Sequence, residues 1–180
     1  MDEHIIDCCS LLNLYTGWGG LRELHDLRRT WYVCEAVRTE AEYTREYDSN
    51  GVPISVPLDT GDLVKSGLLL SARIETEQEL EDYVNFASEL DDGEAQALAL
   101  AKHRRLLLLT DDRRANNVAQ RADVGVRTIS TANVLQIWSQ LDPLNEARLH
   151  QIIPRISTLA RFTPRADLLD YDWWQKYLER

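Results

Sequence analysis

Apolar positions along the chain recur with two different periods, and the switches between them mark out alternating strands and helices. His4–Cys8 reads as a buried strand, and Cys9–Tyr15 as the start of a helix that Gly17 and Gly19-Gly20 break. Leu21–Leu27 is a short helical stretch. Thr30–Val33 is a second strand, followed by a helix over Glu35–Tyr43. Asp48-Ser49-Asn50-Gly51 carries turn chemistry, and Ile54–Pro57 and Leu68–Ile74 run apolar or alternate as strands do. Thr76–Ser88 is predicted as a helix, with Thr76 as N-cap and Glu79 three residues on, the capping-box spacing. Asp91–Arg104 is an Ala- and Leu-rich helix. Leu106–Leu109 is wholly apolar, as strands buried on both faces are. A helix over Arg113–Ala122, a strand over Gly125–Ile129 and helices over Thr131–Gln140 and Leu144–Ser157 follow. A tail carrying Phe162, Pro164 and Trp173-Trp174 ends the chain.

Strands that alternate with helices imply an α/β layer fold around a mainly parallel sheet. In such sheets ligand sites form outside the carboxyl ends of the strands. Residues 1–142 are expected to form the main domain. Residues 143–180 form a C-terminal helical and aromatic extension on the same core, with Asp142-Pro143 as the boundary.

Four acidic positions stand out against this pattern. Asp7 ends the apolar run Ile5-Ile6, and Asp112 follows Leu106–Leu109 and Thr110-Asp111. Each therefore sits where a hydrophobic strand leaves the sheet. On the helix after the second strand, Glu40 falls at the centre of the face shared by Val33, Ala36, Val37 and Thr44, whereas Glu35 and Glu42 fall opposite. Glu94, in the first turn of its helix, aligns with Ala97, Leu98 and Ala101, and Gly93 lets the backbone come close. Carboxylates aimed inward are costly unless they are paired or bind metal. Asp is also a frequent N-cap and turn residue, so Asp7 or Asp112 alone would be a weak signal. Asp111 competes with Asp112 and is the second choice. An all-oxygen donor set suits Mg²⁺ or Mn²⁺ rather than Zn²⁺.

Composition narrows the function classes. The chain has 180 residues, 44% of them hydrophobic, enough for one core. No apolar run reaches membrane-spanning length, so no membrane partner is expected. Cys8, Cys9 and Cys34 are an odd number without zinc-finger spacing, which suggests reduced thiols in a cytoplasm. Thirty acids against twenty bases give a net charge of −10, unfavourable for a non-specific nucleic-acid binder. Basic side chains nevertheless cluster at Arg28-Arg29, Lys102–Arg105 and Arg113-Arg114.

In order along the chain, Ile5-Ile6-Asp7-Cys8, Val37-Arg38-Thr39-Glu40, Asp92-Gly93-Glu94-Ala95 with Leu98–Ala101, and Leu109-Thr110-Asp111-Asp112 before Ala115 and Ala119 resemble a PIN domain over about Ile5–Ala132. The resemblance departs at Cys8, where a hydroxyl or Asn is frequent, and at Asn116, where Arg is frequent. Ser49–Ile74 and the residues after Ile153 look additional. The resemblance implies a three-layer α/β/α fold and a Mg²⁺- or Mn²⁺-dependent endoribonuclease with metal held by Asp7, Glu40, Glu94 and Asp112. Arg113 or Arg114 would contact the RNA backbone. It also implies a virulence-associated protein C-like toxin with a small antitoxin as partner; a homodimer is a further expectation. Two rivals stand beside it: an inactive PIN-fold binding module, and an acidic-site phosphohydrolase acting on small phosphate esters.

Overall fold

The computed structural model describes residues 3–178. Strand β1 (Glu3–Ile6) is almost wholly buried and runs directly into helix α1 (Cys8–Trp18), with Asp7 as the N-cap between them. The expected break at Gly17 does not occur. Helix α1 continues through it and ends at Gly19, whose φ of 74° supplies the left-handed turn. Gly17 serves packing instead: a Cβ there would lie 2.7 Å from Ile156 Cδ1.

After a 3₁₀ turn at Arg22–His25 come strand β2 (Thr30–Cys34) and helix α2 (Glu35–Glu40). Helix α2 is shorter than its sequence suggested. Tyr43–Tyr47 leaves it as strand β3, paired antiparallel with β4 (Pro53–Pro57) in a separate hairpin. Thr44 is buried as expected, but from this strand, where its hydroxyl meets that of Thr16 on α1 at 3.1 Å. Tertiary pairing thus overrides the helical spacing in the last turn.

Helix α3 (Thr60–Lys65), strand β5 (Leu70–Ala72), helix α4 (Glu77–Phe86), helix α5 (Asp92–Arg104) and strand β6 (Leu107–Leu109) follow. The chain continues with helix α6 (Arg113–Ala119), the two-residue strand β7 (Thr128–Ile129) and helices α7 (Thr131–Ser139) and α8 (Pro143–Arg155). Strands β5 and β7 are thus shorter than the apolar runs that predict them. A π-helical turn at Ile156–Ala160 extends α8 just beyond Pro154, and α9 (Asp170–Gln175) lies near the end.

The main sheet has the order β5-β2-β1-β6-β7, with every pairing parallel. Helices flank it, giving the expected α/β layering. Ala95 and Ala97–Ala101 of α5 are buried, and that helix packs against β1, β2 and β6. Leu149, Ile152 and Ile153 of α8 belong to the same core and pack toward α1 and α7. Trp174 pins the tail: it is fully buried, donates from Nε1 to Ser157 Oγ at 3.0 Å, and meets Phe162 edge-on. No described helix is long and apolar enough to cross a membrane.

Helix α4 opens with the anticipated capping box between Thr76 and Glu79. Glu79 has a second task. Only 3% exposed, it accepts from Arg104 Nε at 2.7 Å and from the Glu75 N–H at 2.7 Å, which joins α4 to the end of α5. The Arg104 bond outweighs burial and holds the Glu79 carboxyl at about 2, below its ordinary 4.5. A lowered folded-state pKa adds stability that is complete above the unfolded value and lost as pH falls through the folded one. Glu79→Gln is expected to cost about 2 kcal/mol at neutral pH, a figure discounted for solvent at the partly exposed Arg104. The gap in Tm between variant and wild type, followed by circular dichroism, should close as pH falls from about 4.5 to about 2.

Candidate active site

The carboxyl ends of β1 and β6 are adjacent because the two strands pair in register, Ile6 opposite Leu109. Asp7 and Thr110-Asp111-Asp112 therefore leave the sheet side by side, and the Asp7 N–H donates to the Leu109 carbonyl at 3.0 Å. Asp7 caps α1 through Oδ1, which accepts the Ser10 N–H at 2.7 Å. Its other oxygen, Oδ2, is buried without a hydrogen-bond partner among the described residues. Burial is the main cause that lifts the Asp7 pKa from 3.8 to about 7, and the charge of Asp111 adds to it. The Thr110 side chain and Ser10 act in the opposite direction.

Glu94 reaches the same place from the first turn of α5. Half-buried, it is raised from 4.5 to about 7 by desolvation first, then by the charges of Asp112, Asp7 and Asp91. Glu94 is thus within electrostatic reach of Asp7 and Asp112. Asp112 also caps α6, its Oδ1 accepting from the Arg114 and Ala115 N–H groups at 2.6 and 2.9 Å.

Glu40 occupies a different environment from the one its helical spacing predicts. It is the last residue of α2 and exposed, not centred in a buried stripe. Its Oε1 accepts the Gly93 N–H at 2.8 Å, so the side chain lies against the backbone that presents Glu94. Gly93 permits this approach, since a Cβ there would meet Glu40 Oε2 at 2.3 Å. Partial burial raises the Glu40 pKa, the Gly93 bond opposes it, and the charges of Asp91 and Asp92 raise it further. Glu40 joins the others through Cys8: that thiol is pushed up to about 12 by burial and then by the charges of Glu40, Asp7, Cys34 and Glu94.

Asp111 holds the elements together. Its carboxylate accepts from Asn13 Nδ2 at 2.8 Å, from Ser10 Oγ at 3.3 Å, from the Thr131 N–H at 2.9 Å and from the Thr131 hydroxyl. It thereby clasps α1 and the start of α7 to the end of β6. Burial still raises its pKa against the pull of these donors. Donor-saturated on this scale, Asp111 has less free acceptor capacity than Asp7. Ser10, Asn13, Thr110 and Thr131 are the residues that the carboxylate pattern alone overlooked. Arg113 and Arg114 are exposed on the first turn of α6, beside Asp112.

Two clefts flank this group. One of about 380 Å³ lies between α1, β3 and the π-helical turn, and one of about 480 Å³ between α6, the start of α7 and the tail. Asn13 lines the first and Asp111 the second, so their hydrogen bond forms the partition. Neither is lined by Asp7, Glu40, Glu94 or Asp112.

A family model described as a PIN domain, DUF3368, matches residues 3–157. The chain belongs to the PIN-domain family. Its five-stranded parallel sheet flanked by helices is the fold of that family. No curated protein matches the chain. PIN domains are generally nucleases and typically bind divalent metals. Among the described residues, no three His, Cys, Asp or Glu side chains form a ready metal cage. The residues at the strand ends of this PIN domain nonetheless suit a hard cation. Among the described residues Asp7, Glu40, Glu94 and Asp112 make no salt bridge, and Asp7 Oδ2 is buried without a hydrogen-bond partner.

Asp7→Asn retains an acceptor for the Ser10 cap and removes a buried charge, so it should raise the metal-free melting temperature at pH 8 by a few degrees. The same change should abolish the stabilisation that Mn²⁺ or Mg²⁺ gives wild type; equal metal-induced shifts in both proteins would remove Asp7 from the site. Asp111→Asn should instead destabilise the fold by roughly 2–4 kcal/mol, because an amide nitrogen would face donors that need an acceptor. Asp112→Asn, which can still cap α6, should unfold close to wild type when both variants are titrated with urea.

Proposed function

We propose that this PIN domain is a Mg²⁺- or Mn²⁺-dependent endoribonuclease that hydrolyses RNA phosphodiester bonds at the ends of β1 and β6. The observation that carries this reading is the pairing of β1 with β6, which sets Asp7 and Asp112 at neighbouring strand ends, with Asp7 Oδ2 buried and without a hydrogen-bond partner among the described residues and Glu94 close enough to feel both charges. Asp7, Glu94 and Asp112 would hold the ion, with Glu40 at the outer edge. A divalent ion bound there would supply Lewis acidity, lowering the pKa of water and neutralising charge on the phosphate oxygens.

The chain's own groups supply the rest. Asp7 is fixed by the α1 backbone, and Asp112 by the first turn of α6. Glu40 is oriented by the Gly93 N–H, which takes up its Oε1. Fixed carboxylates need little reorganisation when charge moves during reaction. Arg113 and Arg114 offer guanidinium groups to backbone phosphates on either side of the cut. Water attacks phosphorus and the bond to the 3′ oxygen breaks, leaving a 5′-phosphate and a 3′-hydroxyl.

The toxin role implied by the family resemblance adds a small partner that covers the site. An arginine is the natural plug, because its planar fork can bond two carboxylates at once. Co-expression with the adjacent reading frame tests that role, and copurification of a small neighbour is the supporting result.

Purified wild type should cut single-stranded RNA only with Mg²⁺ or Mn²⁺ present, and end-group analysis should find the 5′-phosphate. Glu94→Gln should slow cleavage by roughly 10²–10³-fold with little change in Tm, and Glu42→Gln should be nearly silent. Hydrolysis of mononucleotides without cleavage of RNA would favour a phosphohydrolase. RNA binding without cleavage under any metal would favour a binding module.

A further inference from the structure

The cleft between α1, β3 and the π-helical turn takes no part in holding a metal, yet it has the make-up of a ligand site. Its volume of about 380 Å³ falls in the range of small-ligand pockets. Its walls are apolar, from Leu12 and Leu159, and two aromatic rings, Tyr43 and Phe162, border it. Its polar groups are few and buried: Asn13, Thr16 and Thr44 are each at most 4% exposed. Asn13 is already held by Asp111, and the two threonine hydroxyls by each other. Arg45 and Arg161 line the same cleft, both exposed, and neither makes a salt bridge among the described residues. Arg161 sits at φ 58°, the left-handed cap that ends the π-helical turn.

We propose that this cleft is a subsite for an unpaired nucleobase of single-stranded RNA, seated beside the carboxylate group. The inference rests on the nuclease reading for its location and deepens it by naming the form of the substrate. A base has two flat apolar faces and a polar edge. Tyr43 and Phe162 offer rings for its faces, and the buried threonine and asparagine groups lie where its edge would reach. The phosphates on either side are anionic, and on a chain of net charge −10 Arg45 and Arg161 on the rim are the complement they require. Duplex RNA cannot use such a site, because its bases are stacked and their edges lie in a groove too narrow for side chains. A basic protein segment would meet Arg45 and Arg161 as like charges. Cys9 lines the cleft two residues from Asp7, the N-cap of the same helix, which sets the cleft beside the acids.

The test is fluorescence anisotropy of a labelled single-stranded RNA with the full-length protein in Ca²⁺ buffer, alongside a cleavage assay in Mn²⁺. Tyr43 is 58% exposed, so Tyr43→Ala should fold. It should weaken RNA binding roughly 5- to 100-fold, the range for one stacked base, and Tyr43→Phe should restore it. Arg45→Gln with Arg161→Gln should weaken binding at least tenfold and flatten its salt dependence, whereas Lys65→Gln on α3 should change neither. A duplex of the same sequence should bind at least tenfold more weakly. Loss of binding in the cleft variants of a protein that never cleaves RNA would uphold the subsite and sink the nuclease reading. Cleavage by wild type with unchanged binding in Tyr43→Ala and in the double arginine variant would overturn the subsite and leave the nuclease reading standing. Equal affinity for duplex, or no binding of single strands by wild type, would also overturn it.

Discussion

Asp7 is a carboxylate taken out of water at the end of the strand that lies in the middle of the sheet. One of its oxygens is spent on starting α1, and the other has no hydrogen-bond partner among the described residues. A buried charge in this condition disfavours its own ionised form and that of each acid placed near it. Glu94 feels this directly, and the Cys8 and Cys9 thiols do as well. The parallel register of β1 with β6 is what places a second acidic turn against the first, so the electrostatic stress is a property of the sheet's topology. Strained groupings of like charge are often functional, because a ligand of opposite charge relieves them.

A second carboxylate, Asp111, gives that grouping its rigidity. Where Asp7 is short of donors, Asp111 has several, drawn from α1 and α7. Two neighbouring acids at one sheet edge thus take opposite roles, set by which side chains face them. Asn13 links the clasp to the first cleft, so the same hydrogen bond that braces the proposed metal site also forms part of the wall of the proposed base site.

Charge is distributed to match. The acids gather at the ends of the strands, while exposed arginines lie outside them: Arg113 and Arg114 on α6, and Arg45 and Arg161 at the first cleft. The net charge of −10 argues against loose, non-specific attraction to nucleic acid. Contacts with an anionic substrate would then depend on local placement of these arginines rather than on the field of the whole molecule.

Much of this was legible in the sequence. The apolar runs ending at Asp7 and before Asp112, the capping box at Thr76 and the alternation of strand and helix are local signals, and they led to the parallel α/β fold and the acidic positions. Another signal was present and went unread. Ser10, Asn13 and Thr16 recur every third residue along α1, a polar stripe on a buried helix, and all three are buried. Other features needed the tertiary structure. The end of α2 could not be placed, because Tyr43–Tyr47 leaves the helix only when Pro53–Pro57 is there to pair with it. Gly17 resembles a helix breaker in sequence, yet its role is set by Ile156, far along the chain. The sequence ranked Asp112 ahead of Asp111 but held no sign of the donors that surround Asp111, since those come from α1 and α7. Local sequence determines where a carboxylate leaves a strand, but whether it meets donors or other acids depends on which distant elements pack against it.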